Sequence, residues 1–359
     1  MSGRGNRPGK ADAHPADPRP GQGFTRDADG SNRQRAQGGR VTEAVILFLV
    51  ALVASALLYP AAIGYLARLR MGQLIREEGP ASHRGKAGTP TAGGIVFIGI
   101  ALVLYLVADR TPAGGLVVLA LLLGGGLGLV DDVRAIRGGS NLGLRAREKI
   151  VIQLLTGALL GYLAWRWGFG RQLVPFDGGG SLNAWLIPIG AVAFAGGSNA
   201  FNLTDGSDGL AGGAGAIAFG TLTLIAVLQH HPAAGLISAV LAGCLIGFLF
   251  YNFFPARIFM GDTGSLALGT AMVAATIVTG MVWYLPLLAL IFVVETASVI
   301  AQVASFKLTG QRIFRMSPLH HHFHLAGWTE TRIALSFWAA GILAALLTVV
   351  LARPGSASA

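Results

Sequence analysis

Hydrophobic and polar positions along this chain alternate in long blocks rather than residue by residue. Ten apolar runs occupy residues 42–66, 93–108, 114–130, 150–166, 184–201, 211–228, 233–254, 264–280, 283–303 and 333–352. Most reach or approach the roughly 20 residues that cross a bilayer as an α-helix. Backbone polar groups in lipid must be satisfied within the segment, and these runs are continuous rather than alternating, so helices are favoured over a barrel. The pattern predicts an all-α polytopic membrane protein, a bundle of about ten transmembrane helices, with strands expected nowhere. Glycines inside the runs, such as Gly124-Gly125-Gly126 and Gly212-Gly213, read as sites where helices approach closely.

Residues 1–41 break the pattern. Arg, Gly, Pro, Asp and Asn dominate there, Phe24 is the only aromatic, and a disordered polar basic tail is expected. The first apolar run starts late and is long for a signal peptide, so it reads as an uncleaved first span. The predicted organisation is a tail over 1–41, a membrane domain over 42–352 and a short C-terminal tail over 353–359.

Composition agrees with the pattern. Apolar residues make up 53% of the chain and charged ones 12%, with a mean hydropathy of +0.61, whereas soluble domains carry about 25% charged residues. A lone cysteine, Cys244, lies inside an apolar run; it excludes a disulfide framework or a cysteine-based metal site and reads as a packing residue. The formal charge of +10 does not point to nucleic acid, because the basic residues lie in the tail and between apolar runs.

Their distribution sets an orientation. The connections 67–92, 131–149, 202–210, 255–263 and 304–332 hold fifteen Lys and Arg between them, and the opposite set with the C-terminal tail holds four. The basic set is therefore expected on the cytoplasmic side, with both termini outside. The N-terminal tail, with eight basic residues against four Asp, argues the other way and is outweighed by the loops.

The candidate chemistry gathers on the basic side. Of seven aspartates outside the tail, five lie in these connections or at helix ends facing them: Asp131, Asp132, Asp205, Asp208 and Asp262. A carboxylate hard against an apolar run is costly unless it meets a cation or a donor. Helix capping explains any one of them, but it is a poor account of all five. Paired carboxylates beside Lys and Arg suggest Mg2+ and phosphate, since Mg2+ takes one or two carboxylates and fills its shell with water and phosphate oxygens. No Walker-type phosphate loop is present. The run His320-His321-His322 lacks the i, i+4 spacing of a helical zinc pair and reads as phosphate donors or a proton carrier. Glu295, inside the ninth run, shows no catalytic role and is expected to make an interhelical hydrogen bond.

Five ordered segments carry a resemblance: Lys86 through Gly94, Asp131-Asp132-Val-Arg134, Asn199 through Leu210, Asn252 through Asp262, and His320-His321-His322. They resemble the polyprenyl-phosphate N-acetylhexosamine-1-phosphate transferase family, and the triple histidine with Phe306-Lys307 and Arg312-Ile-Phe314 before it resembles the bacterial phospho-N-acetylmuramoyl-pentapeptide transferase branch. The resemblance covers residues 42–352. It implies a ten-helix membrane enzyme, inhabiting the bacterial cytoplasmic membrane, that moves phospho-MurNAc-pentapeptide from UDP-MurNAc-pentapeptide to undecaprenyl phosphate. It also implies a Mg2+ cofactor and makes a homodimer plausible.

Residue by residue, the resemblance makes Asp262 the magnesium ligand. Asp131 and Asp132 match the acidic pair, one of which deprotonates or positions the lipid phosphate or, alternatively, serves as a covalent nucleophile. His320 matches the essential histidine, with His321 and His322 touching substrate. Lys86, Thr91, Asn202, Asp205, Asp208, Phe259 and Gln302 match uridine and diphosphate contacts, with Phe259 stacking on the base. Asn199 belongs to the same polar segment, Asn252 looks like a cleft residue, and Arg147 stands where some members carry a phosphate-neutralising Lys. His324 replaces the Glu usual in this branch. Two other readings are a sister transferase using UDP-GlcNAc and a secondary transporter; the triple histidine disfavours the first, and the one-sided acids disfavour the second.

Overall fold

The computed structural model describes residues 23–69, 72, 88–138, 143–174 and 179–352. Each predicted apolar run is found in helix. In chain order the helices are α1 (Gly23–Arg68), α2 (Gly94–Leu104, continued by a π turn, Tyr105–Asp109), α3 (Pro112–Arg137), α4 (Ala146–Arg166), α5 (Leu186–Thr204), α6 (Leu210–Leu228) and α7 (Leu236–Asn252). They continue with α8 (Gly261–Val278), α9 (Leu285–Leu288), α10 (Leu290–Thr309), α11 (Leu319–Leu325) and α12 (Glu330–Leu351). Eight of the described helical segments are long and apolar enough to cross a membrane, and the run over Gly94–Asp109 is a shorter apolar helix. α4 is 21 residues long but carries Arg147, Glu148, Lys149 and Arg166, which keeps it out of that set.

One expectation is modified. Strands are present, although only as a two-residue antiparallel pair, β1 (Arg171–Gln172) with β2 (Gly180–Ser181), in the polar connection between α4 and α5. Gln172 anchors it by donating to the Phe169 and Ile277 carbonyls and accepting from the Val282 N–H.

Helix starts follow local chemistry. Thr111 caps α3 by accepting from the Gly114 N–H at 3.0 Å, with Pro112 at the first helical position; Thr329 caps α12 from the Arg332 N–H at 3.2 Å. The bundle is organised around α8. Of its apolar window 89% is buried, against 22% for α1, so α8 is the core helix and α1 faces outward on most sides. Its contacts are close because they are built from small residues. A Cβ on Gly128 of α3 would overlap the Asp262 carbonyl, and one on Gly94 of α2 would overlap the Gly264 backbone. Without a hydrophobic drive between helices in lipid, such close packing supplies much of the attraction. Cys244 is fully buried, and its carbonyl accepts from the Ser55 hydroxyl at 2.8 Å, consistent with a packing role. Leucines and valines such as Leu57, Leu155, Leu343 and Val350 stay exposed on the outer helices, as suits a lipid-facing surface.

Candidate active site

The approach of α3 to α8 brings the acidic residues together. Asp131 and Asp132 lie near the C-terminal end of α3, and Asp262 is the second residue of α8. Lys149, in the first turn of α4, places its ammonium between two of them: Nζ lies 2.5 Å from Asp262 Oδ2 and 3.4 Å from Asp131 Oδ2. The second Asp262 oxygen accepts from Asn202 Nδ2 at 2.7 Å, and the same amide reaches Ser265 Oγ at 2.9 Å. Asp131 Oδ1 accepts from the Leu144 N–H at 2.9 Å.

Asp132 does different work. Its carboxylate accepts from the Asp262 N–H at 3.1 Å, the Thr263 N–H at 2.9 Å and the Thr263 hydroxyl at 2.6 Å. It therefore caps the exposed end of α8 from a neighbouring helix, meeting donors that have no intrahelical partner and the positive end of the helix dipole. Gly261 enters this turn at φ +70°, and a Cβ there would crowd Asp132 Oδ2, Thr91 Oγ1 and the Ala92 nitrogen. Thr91 is thus buried against the same turn. Residues 90–94 zip onto 259–260 through Phe259 N–H to Pro90 O, Gly93 N–H to Phe259 O and Gly94 N–H to Met260 O, which sets half-buried Phe259 beside Thr91.

The segment between α5 and α6 joins this cluster to the histidines. Asp205, half-buried, ends α5. Asp208 is buried; its carboxylate accepts from the Ala256 N–H at 2.9 Å, and its own N–H donates to Glu330. Asn252 accepts from the Gly209 N–H at 3.1 Å and donates to the Ile258 carbonyl at 2.9 Å. Asp208 and Asn252 thus hold the segments 205–209 and 255–259 side by side. One turn before Asn202, Asn199 donates to Gln153 Oε1 at 2.7 Å.

α11 lies against that segment. His320 is fully buried against Glu295, and its Nε2 faces Gly206 so closely that a Cβ there would collide with it. The His321 ring packs at 4.2 Å from His320, centroid to centroid, and His322 Nδ1 accepts from the Arg315 N–H at 3.2 Å. His324 Nε2 is 3.4 Å from Ser207 Oγ. Gln302 spends its amide on the Ile313 and Phe314 backbone, shaping the loop before the histidines.

Of the predicted residues, Asp131, Asp262 and Asn202 converge on one point, and Asp132, Thr91 and Phe259 frame it. Arg147 does not join them; it is exposed on the first turn of α4, and Lys149, two residues on, is the cation that points inward. Lys149 shares a helix face with Gln153, four residues on, but the three cations of residues 145–149 look alike in the sequence. Lys86 lies outside the described residues. Two carboxylates meet one ammonium here, and the metal-binding atoms they offer are oxygens, with no thiol or imidazole among them. Among the described residues no three His, Cys, Asp or Glu side chains converge on one point. Oxygen donors of this kind are the type that a hard divalent ion such as Mg2+ takes, with Asp262 the residue that would hold it.

Fold and site together define a polytopic membrane transferase, and residues 115–280 match the family described as Glycosyl transferase family 4. The chain is 46% identical over 315 residues to the phospho-N-acetylmuramoyl-pentapeptide-transferase of Heliobacterium modesticaldum, covering 86% of this chain and 97% of that protein. It is 42% identical over 320 residues to the protein of the same name from Bacillus subtilis, covering 86% and 98%. This chain belongs to the phospho-N-acetylmuramoyl-pentapeptide-transferase family.

Proposed function

We propose that this protein transfers phospho-MurNAc-pentapeptide from its UDP carrier to undecaprenyl phosphate, giving lipid I and UMP for peptidoglycan synthesis, at the cytoplasmic face of the bacterial inner membrane. The observation that carries the reading is near full-length identity of 42–46% to relatives bearing that activity in their names. The convergence of Asp131, Asp262, Lys149 and Asn202 at one end of the apolar bundle supports it.

In this reaction an oxygen of the lipid phosphate attacks the β-phosphorus of the donor. The bond from that phosphorus to the bridging oxygen breaks, and UMP leaves. Little covalent work falls to the protein, so positioning and charge neutralisation dominate. Lys149 neutralises phosphate charge beside the two carboxylates. Of the acidic pair, Asp131 is the one that orients or deprotonates the lipid phosphate. Asp131 takes one backbone N–H and turns Oδ2 to the Lys149 ammonium at 3.4 Å, whereas Asp132 is held by three donors at the start of α8. Mg2+ held by Asp262 would supply Lewis-acid neutralisation of the diphosphate. Phe259 and Thr91 form a wall suited to the uridine, and His320 and His321 face the diphosphate side.

The test is an assay in detergent with undecaprenyl phosphate and Mg2+, offering UDP-MurNAc-pentapeptide and UDP-GlcNAc separately and detecting UMP and the lipid product. Product from the muramoyl donor alone is expected. Product from UDP-GlcNAc alone, or none from folded protein, overturns the reading.

A further inference from the structure

The contact between α4 and α5 is smooth along much of its length and directional near the carboxylate cluster. Away from the cluster the two helices meet through glycine. A Cβ on Gly161 would overlap the Leu186 carbonyl, one on Gly157 would crowd the Gly190 carbonyl, and one on Gly190 would crowd the Gly157 carbonyl in return. Small residues let helices in lipid approach closely, but a glycine surface has no side chain to set how far one helix slides past the other. The directional contact is a pair of amides. Asn199 Nδ2 of α5 donates to Gln153 Oε1 of α4 at 2.7 Å.

Both partners lie one turn from a residue of the site. Gln153 follows Lys149 by four on α4, and Asn199 precedes Asn202 by three on α5, so each shares a helix face with that neighbour. Lys149 Nζ and Asn202 Nδ2 meet the two oxygens of one carboxylate, Asp262. A slip of α4 against α5 would pull one of them from Asp262, and the bond from Asn199 to Gln153 is placed to oppose that slip.

Gln153 is a poor choice for stability alone. It is 3% exposed. Asn199 uses its other amide hydrogen on the Ala195 carbonyl at 2.8 Å, so Gln153 presents its oxygen, and its own Nε2 is buried with no hydrogen-bond partner among the described residues. A buried donor left unpaired is destabilising, and a side chain that keeps one calls for a role other than packing. A methionine would fill much the same space without that donor.

We propose that Gln153 is a positioning residue for the transfer: through Asn199 it locks the register of α4 against α5, and so holds the Lys149 ammonium and the Asn202 amide on Asp262, where the donor diphosphate binds. The part played in turnover rests on the transferase reading; the lock itself does not.

The test pairs turnover with the reactivity of Lys149 in full-length protein in detergent. Gln153→Met removes the acceptor and is expected to lower kcat about 10-fold or more, since a misplacement of about 1 Å can cost about 100-fold. In an Asn199→Ala background Gln153→Met is expected to cost nothing further, because its effect passes through that amide. Without any substrate, treatment with an amine-acylating reagent and mass spectrometry of the peptides read how firmly Lys149 is held. Gln153→Met is expected to raise acylation of Lys149 severalfold and to leave that of exposed Lys307 unchanged. Normal turnover, losses that add in the double variant, or Lys149 acylated no faster than in wild type overturns the proposal. If Gln153→Met does not fold, the exchanged pair, Gln153→Asn with Asn199→Gln, is the second variant. It returns one amide to each helix and must recover turnover lost in Gln153→Asn alone; no recovery overturns the proposal. Wild-type protein that is inactive with the muramoyl donor, while Gln153→Met still frees Lys149, would sink the transferase reading and leave the lock standing.

Discussion

Asp132 on α3 and Asp262 on α8 lie side by side and do different work. Asp132 meets two backbone N–H groups and a hydroxyl at the start of α8, so an amide in its place would turn an NH2 toward at least one donor. Asp132→Asn is therefore expected to lower thermal stability, by about 1–3 kcal/mol for a buried hydrogen-bond partner lost, along with activity. Asp262 instead faces Lys149 and Asn202. Asp262→Asn is expected to cut turnover about 100-fold or more and, on the proposed metal role, to remove the response of turnover to Mg2+. Near-normal turnover of Asp262→Asn would remove that residue from the metal site, and an unchanged melt for Asp132→Asn would remove the capping role. The acids were legible in the sequence because a carboxylate abutting an apolar run needs a reason to be there. Lys149 was not. The stretch Arg145-Ala146-Arg147-Glu148-Lys149 offers three cations in five residues, and only the packing of α4 decides which one turns inward.

At the scale of helices, the site depends on how closely α3 and α8 can approach. Gly128 has no room for a Cβ beside the Asp262 backbone, whereas Gly126, two residues earlier on the same helix, has nothing within 4 Å. Gly128→Ala is expected to push the helices apart and misplace Asp131 against Asp262, lowering activity and costing about 1–3 kcal/mol of stability by overpacking. Gly126→Ala is expected to be neutral or slightly stabilising, since Ala is the better helix former by up to about 1 kcal/mol. Thermal melts and turnover of the two variants separate close packing from a general intolerance of α3 to substitution; equal losses would contradict this account. The helices themselves were legible because a long apolar run has few ways to satisfy its backbone in lipid. The short α11 and the β1–β2 pair were not, because each is fixed by partners distant in sequence. α11 depends on Glu295, twenty-five residues before His320, and β1 on the Ile277 and Gly280 carbonyls.

For the whole molecule, function requires that the carboxylate cluster and the basic connections share one face of the membrane. The ends of α3 and α5 and the beginnings of α4 and α8 meet at that cluster, while the β1–β2 pair joins the opposite ends of α4 and α5. The loop charge count leads us to expect the cluster on the cytoplasmic side, and introduced cysteines test it. The protein's one cysteine, Cys244, is fully buried and is expected not to react with a membrane-impermeant maleimide, so single introduced cysteines report alone. Arg137 at the end of α3 and Ser181 in β2 are both exposed. Arg137→Cys is expected to label only when the reagent reaches the cytoplasmic side, in inverted vesicles, and Ser181→Cys only in intact spheroplasts. The reversed result would place the carboxylates outside, away from any UDP-linked donor, and would overturn both the orientation and the reaction derived from it. Labelling of each position from both sides would show instead that these ends of the bundle do not lie on opposite faces of the membrane.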